Sequence, residues 1–387
     1  MRIAYLSRAC VPSRSANSIH VMKMCQALGT AGHDTTLYAT YPKKIEPDQP
    51  QDPFIYYGVE RTFSINYTTL STHPGGSYYY AFVSAYKALR SKPTLVYGRN
   101  PLGCLFSALR GYPTALELHM PNEQGRPLVA FALGLLFRLP AFKALIVITD
   151  TLRKHYESAW PFLKDHIIVA PDGADPIDPN LEPVSLTFKG ERPQIAYVGH
   201  LYHGKGAELV AEVAELVPEF DFHIVGGTEC DLERWRRDKN LPSNLKLHGY
   251  IPHKDVPTYL LAFDTLLLPN QPCVHIGGGS TDIGEWTSPL KLFEYMASGR
   301  PIICSDVPVL QDIAHHNVNM LVCRHDRAED WAEALRYLAD HPEVGSRLAA
   351  EAQSELINVY SWQARARTLI MKIAHNFQSS PLAKAEG

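Results

Sequence analysis

Gln194-Ile195-Ala196-Tyr197-Val198-Gly199-His200-Leu201-Tyr202-His203-Gly204-Lys205-Gly206, followed by Ala207-Glu208-Leu209-Val210-Ala211-Glu212-Val213-Ala214, is the stretch whose reading decides the fold. A short apolar run, a loop holding three glycines, and then apolar residues three and four apart read as strand, tight turn and helix. The same alternation continues in both directions. Downstream, strands are expected over 221–225, 245–247, 265–268, 301–304 and 320–322, with helices over 207–217, 232–239, 256–263 and 289–297. Upstream, strands are expected over 3–6, 36–41, 95–97, 114–118, 145–149 and 167–170, with helices over 19–28, 80–89, 128–139 and 151–160. Two helices, roughly 328–356 and 361–377, close the chain. Short strands alternating with helices form parallel sheets covered on both faces. The periodicity lapses between 172 and 193, where four prolines fall, Pro176, Pro179, Pro183 and Pro193. The expected architecture is therefore α/β: two doubly wound Rossmann-like domains, 1–175 and 194–360, joined by a linker at 176–193 and facing a central cleft. The last helix, about 361–387, is expected to pack back on the first domain.

Composition narrows the function. Across 387 residues, 37 Lys+Arg against 40 Asp+Glu leave a net charge of −3, which gives no global attraction for a nucleic-acid backbone. Seven cysteines form no C-x-x-C pair, so neither a disulfide framework nor a cysteine zinc site is indicated, and a reducing, cytoplasmic compartment fits. No stretch is long and apolar enough to span a bilayer as a helix. The opening Met1-Arg2-Ile3-Ala4-Tyr5-Leu6-Ser7-Arg8 reads as a strand rather than a signal peptide. Residues 128–137 are mostly apolar and are bracketed by Arg126, Arg138 and Lys143, a pattern that suits a buried helix or a peripheral contact with a membrane face.

Two segments carry chemistry. In Thr287-Ser288-Pro289-Leu290-Lys291-Leu292-Phe293-Glu294-Tyr295-Met296-Ala297-Ser298-Gly299, Ser288 suits an N-cap and Pro289 a first helical residue. The amides of Leu290 and Lys291 would then be free to bind phosphate. Glu294 shares a face with Leu290, Phe293 and Ala297, where a carboxylate needs partners. Ligand hydroxyls or an i−3 pair with Lys291 would serve. The second segment, Gly199 to Gly206, almost matches G-x-x-x-x-G-K-[ST], but Gly206 stands where a P-loop has the hydroxyl that holds magnesium. What remains is a glycine-rich strand-to-helix turn that lets backbone approach phosphate, with Lys205 as its positive charge. No H-E-x-x-H or comparable ligand spacing occurs, so no metal site is expected, and no G-x-G-x-x-G follows an early strand.

In this order and spacing the two segments resemble the retaining GT-B glycosyltransferases of family four. Further marks of the resemblance are Ile224-Val225-Gly226-Gly227, Leu247-His248-Gly249-Tyr250-Ile251-Pro252 and Ala170-Pro171-Asp172-Gly173-Ala174-Asp175. It implies a nucleotide-sugar site in the second domain. Gly199, His200 and Lys205 would meet the diphosphate, Ser288, Pro289, Leu290 and Lys291 would cap it, Glu294 would take the ribose hydroxyls, and the Tyr250-Ile251 backbone would meet the base. In the first domain it places Asn17, Ser18, His20 and Arg99 near acceptor or cleft, and His119 against the donor sugar. His119, Lys205 and Glu294 become the catalytic candidates.

The implied reaction moves a hexosyl group from a UDP- or GDP-sugar to an acceptor hydroxyl with retention, in glycan, exopolysaccharide or glycolipid biosynthesis. The acceptor is expected to be a saccharide, a lipid-linked saccharide or a small metabolite, and neither a tightly bound cofactor nor a metal is expected. The sequence departs from the family at two places. His200 holds the position of an arginine, and Trp286 stands seven residues before Glu294 where relatives carry a second glutamate, with Glu285 one step off. The glycine-rich 275–282 segment is read as a loop around the sugar. The shared architecture keeps open a UDP-sugar 2-epimerase, and these departures keep open a degenerate nucleotide-sugar-binding partner subunit.

Overall fold

The computed structural model describes residues 1–42, 52–69, 73, 75–186, 192–238, 241–275 and 282–378. The chain forms two compact units, Met1–Pro171 with Trp362–Gly387, and Asp172–Ser361.

In the first unit, β1 (Arg2–Cys10), β2 (Asp34–Thr40), β3 (Ser64–Tyr67), β4 (Leu95–Gly98), β5 (Thr114–Leu118), β6 (Phe142–Val147) and β7 (Ile167–Val169) form one parallel sheet in the order β3-β2-β1-β4-β5-β6-β7. Its helices are α1 (Ala16–Thr30), α2 (Pro53–Tyr57), α3 (Gly76–Arg90), α4 (Pro101–Leu109), α5 (Pro127–Leu136) and α6 (Asp150–Ala159). Strands β4 and β5 are buried from end to end, as expected for a sheet covered on both faces. The order turns back on itself between β1 and β4, a switch point where strand ends open outward.

The second unit repeats the plan. Strands β8 (Gln194–Val198), β9 (Asp221–Val225), β10 (Leu245–Gly249), β11 (Thr265–Leu268), β12 (Ile302–Ser305) and β13 (Leu321–Cys323) form a parallel sheet in the order β10-β9-β8-β11-β12-β13. Helices α7 (Ala207–Leu216), α8 (Glu229–Asp238), α9 (Val256–Leu260), α10 (Leu290–Ala297), α11 (Ala328–Asp340) and α12 (Pro342–Glu355) cover it. Here the switch point lies between β8 and β11. Residues 176–186, read from sequence as linker, lie in this unit: Leu186 is buried in its core, and Ile177 and Val184 pack against that core. The remainder of that segment, 187–191, lies outside the described residues.

The last helix, α13 (Trp362–Gln378), belongs to the first unit, packed on α1 and β6. The single closing helix expected over 328–356 is two helices. Pro342 lacks the N–H that a continuous helix needs and pushes His341 out of helical geometry, to φ −129° and ψ 65°.

Candidate functional site

The second unit's candidate site is built around β8, whose carboxyl end stands at the switch point. Gly199 follows the strand, with its N–H donating to Val225 O at 2.8 Å. The loop then runs through Gly204 (φ +87°) and Gly206 (φ +77°), both left-handed. A Cβ on Gly204 would lie 2.1 Å from Cys273 O, and one on Gly206 would lie 1.7 Å from Pro269 O. This is why Gly206 stands where a P-loop carries Ser or Thr: a side chain there would occupy the backbone that follows β11.

Lys205 is held between these glycines and is only 8% exposed. Its Nζ lies 5.3 Å from the centroid of the Tyr202 ring. Burial lowers its pKa to about 8, and it forms no ion pair among the described residues. A buried ammonium with no anion is expensive unless a ligand supplies one. Nearby Asn270, also buried, has an Oδ1 without a hydrogen-bond partner among the described residues.

Helix α10 brings a second lysine. Lys291 Nζ donates to Tyr197 OH at 2.9 Å and lies 4.1 Å from that ring's centroid. Burial, and then the charge of Lys205, push its pKa well below the usual lysine range against the opposing pull of Glu294. Tyr197 OH in turn donates to His200 O at 2.6 Å, which fixes the loop. A Cβ on Gly199 would approach Lys291 Nζ to 3.1 Å, so the glycine leaves the ammonium room. Leu290 and Lys291 open α10, so their amides have no partner inside the helix. The Lys205 ammonium, the Lys291 side chain, glycine backbone and a helix start make a site for a polyanion, whose charge favours the protonated form of both lysines.

Glu294 Oε1 lies 2.8 Å from His253 Nε2, and both side chains are about one-quarter exposed. The alternative i−3 pair with Lys291 does not form, because Lys291 is drawn to Tyr197. Ser288 is not the N-cap of α10: Pro289 holds that position, and Ser288 Oγ instead accepts from Asp172 N–H at 3.0 Å. Tyr250 is exposed, whereas Ile251 packs against the core. His200 is exposed and stacks on Tyr202 at 5.4 Å.

The first unit holds a separate cluster. Glu117, in β5, is completely buried, and its Oε1 lies 2.5 Å from His119 Nε2, 2.9 Å from His20 Nε2 and 3.1 Å from Arg365 Nη2. Tyr97 OH donates to Oε2. Burial alone would raise the Glu117 carboxyl, but the Arg365 charge and then His20 and His119 hold it well below the usual carboxylate range. Arg365 comes from α13 and also donates to Pro171 O and Ala170 O. His20, Glu117 and His119 present atoms within 4.8 Å of one another, close enough for a small cation. Arg365 already supplies a positive charge to the oxygen they share, which disfavours a metal there.

Two family models together span most of the chain: Glycosyltransferase Family 4 matches residues 18–177 and Glycosyl transferases group 1 matches residues 180–355. The chain belongs to the family-four glycosyltransferases of GT-B fold. It is 26% identical over 192 residues to the 2-deoxystreptamine glucosyltransferase of Streptomyces kanamyceticus, covering 46% of each chain. It is 26% identical over 226 residues to an amylovoran biosynthesis glycosyltransferase of Erwinia amylovora, covering 56% of this chain and 53% of that one. The chain thus spans about half the length of the curated relatives it matches. Among solved structures, Anabaena HepE in complex with UDP-glucose superposes with a TM-score of 0.67 at 15% identity, over 98% of this chain and 100% of that one.

Within this family-four glycosyltransferase the structure brings Gly199, Lys205 and Lys291 to one switch point, and His20 and His119 to one carboxylate. Ser18 serves the fold, its Oγ donating to Cys10 O at 2.8 Å, while Asn17 lies in the first turn of α1. Arg99 follows β4 and keeps a buried Nη1 without a hydrogen-bond partner among the described residues. The 276–281 part of the glycine-rich loop lies outside the described residues. Sequence reading misses Tyr197, His253 and Arg365. Tyr197 offers one signal, since a hydroxyl in a fully buried strand must find a partner; Arg365 offers none, because its carboxylate is 248 positions away.

Proposed function

We propose that this protein is a retaining glycosyltransferase that moves a hexosyl group from a UDP- or GDP-hexose to an acceptor hydroxyl in glycan or polysaccharide biosynthesis. The observation that carries the reading is the buried Lys205 ammonium, with no anionic partner among the described residues, set between two left-handed glycines. As the glycosidic bond breaks, charge builds on the departing diphosphate, and a fixed cation in a poorly solvated site stabilises that charge more than the ground state. Lys291 and the first amides of α10 add to it, so a divalent ion is not needed for this task. Glu294 is assigned to the ribose hydroxyls, with His253 fixing its orientation. HepE was solved with UDP-glucose, which supports a uridine donor with glucose as the first sugar to try.

The test is a thermal-shift screen of UDP- and GDP-hexoses in chelator-containing buffer, followed by calorimetry and transfer of labelled hexose. A true donor raises the melting temperature, because it binds only the folded state. Lys205→Met should remain folded and lose most turnover. Glu294→Gln should weaken donor binding by about ten- to a hundredfold, the worth of a charge-assisted hydrogen-bond pair. Stabilisation by no nucleotide-sugar, or a folded Lys205→Met protein with parental turnover, would refute the assignment.

A further inference from the structure

One face of the first unit is unusually apolar and carries charge of a single sign. Helices α3, α4 and α5 pack side by side, and Phe82 of α3 meets Phe106 of α4 with ring centroids 4.8 Å apart. On α3, Tyr78, Phe82 and Tyr86 recur every fourth residue and are 56%, 51% and 52% exposed. Leu109 of α4 is 55% exposed, and Leu128 and Phe131 of α5 are 71% and 73% exposed. Clustered exposure of this kind marks an interaction surface.

Charge identifies the occupant. No Asp or Glu occurs from Gly75 to Leu116 or from Gln124 to Thr149. Arg90, Arg110, Arg126 and Arg138, at or beside the ends of the three helices, are all exposed. Tyr and Phe on an outer face with arginines around them suit the headgroup region of a bilayer, and anionic lipid answers the uniform positive charge. Helix α5 has ten residues and no charge within it, too short to span but able to bury its outer side chains at an interface. We propose that the α3–α4–α5 face docks peripherally on a membrane surface rich in anionic lipid. Sequence alone points to the α5 stretch; the packing joins α3 and α4 to it. The proposal does not depend on the donor assignment.

The experiment is co-sedimentation of the full chain with phosphatidylcholine vesicles, with and without about one-third phosphatidylglycerol, at low and high salt. The parent should pellet with the anionic vesicles at low salt and be released at high salt. Leu128→Asp with Phe131→Asp should weaken partitioning at least tenfold. Arg110→Glu with Arg126→Glu should do so by more than the roughly fivefold expected for each basic residue lost. Met371→Asp, at an exposed position on α13, should bind like the parent. Melting curves confirm folding of each variant. Parent protein wholly in the supernatant at low salt, or folded variants that pellet like the parent, would overturn the proposal. So would a concentration-dependent dimer lost in Leu128→Asp, since the face would then be a self-interface.

Discussion

Lys205 shows what burial does to a single group. Its pKa of about 8 leaves most molecules protonated at neutral pH, poised to lose the charge just above. A bound diphosphate favours the charged form and raises that pKa, so donor binding near pH 8 takes up protons. Donor affinity should hold below about pH 8 and fall above it, by up to about tenfold per pH unit until the pKa in the complex is passed. Calorimetry in two buffers of different ionisation enthalpy measures the uptake. Affinity that stays level from pH 7 to pH 10 would remove Lys205 as the diphosphate cation. The residues that carry this site are also where sequence reading divides. Gly199 and Lys205 are legible because a glycine-rich turn with a lysine directly after a strand is a local signal, whereas Lys291 is read from sequence only for its amide at the start of α10. The partner of Glu294 is not, because helical spacing offers Lys291 whereas folding delivers His253 from a different element.

At the scale of elements, the loop between β8 and α7 works only if its glycines stay small. Gly206→Ala combines a left-handed backbone with a Cβ placed 1.7 Å from Pro269 O, so the loop must move. Gly32 is the control, with a similar φ of +84° and nothing within 4 Å of the place a Cβ would take. Gly32→Ala should cost about 1 kcal/mol from backbone strain alone, and Gly206→Ala clearly more, roughly 2–3 kcal/mol, with loss of donor binding. Urea unfolding midpoints compare them; equal losses would mean that the loop relaxes freely. Other elements mark the limits of periodicity. Sequence reading passes over β3, α2 and α4. Strand β3 has four residues and α2 five, too few for a period to register, and α4 is apolar along most of its length. Strongly patterned α7 and α10 are legible to within a few residues.

At the scale of the molecule, stability should depend on pH through a histidine in the second unit's sheet. His223 of β9 is wholly buried, with Nδ1 2.8 Å from His248 Nε2 of β10 and Nε2 2.7 Å from Gln194 Oε1 of β8. Burial, and then the neighbouring His248, lower its pKa to about 4. The unfolded chain protonates this ring near pH 6.5 and the folded one resists until about 4. Its contribution is therefore complete above about pH 6.5 and is lost as the pH falls towards 4, about 3 kcal/mol across that window. Urea midpoints at several pH values should drop through this range in the parent and drop less in His223→Gln. Parallel pH profiles would show that the ring is protonated in the folded state.

The sequence by itself determined that the chain is α/β in two repeated units, that the second carries an anion-binding turn after its first strand, and which family it resembles. These follow from local rules: strand and helix periods, glycine's freedom at φ > 0, and lysine beside such a turn. The tertiary structure alone decided which side chains meet. It carried Arg365 across the sequence to Glu117, turned Ser288 from a helix cap into a partner of Asp172, and set the exposed aromatics of α3 beside α4, which packs in turn on α5. The physical reason is that these contacts depend on packing between segments far apart in the chain, where a buried charge or hydroxyl takes whatever partner the fold delivers.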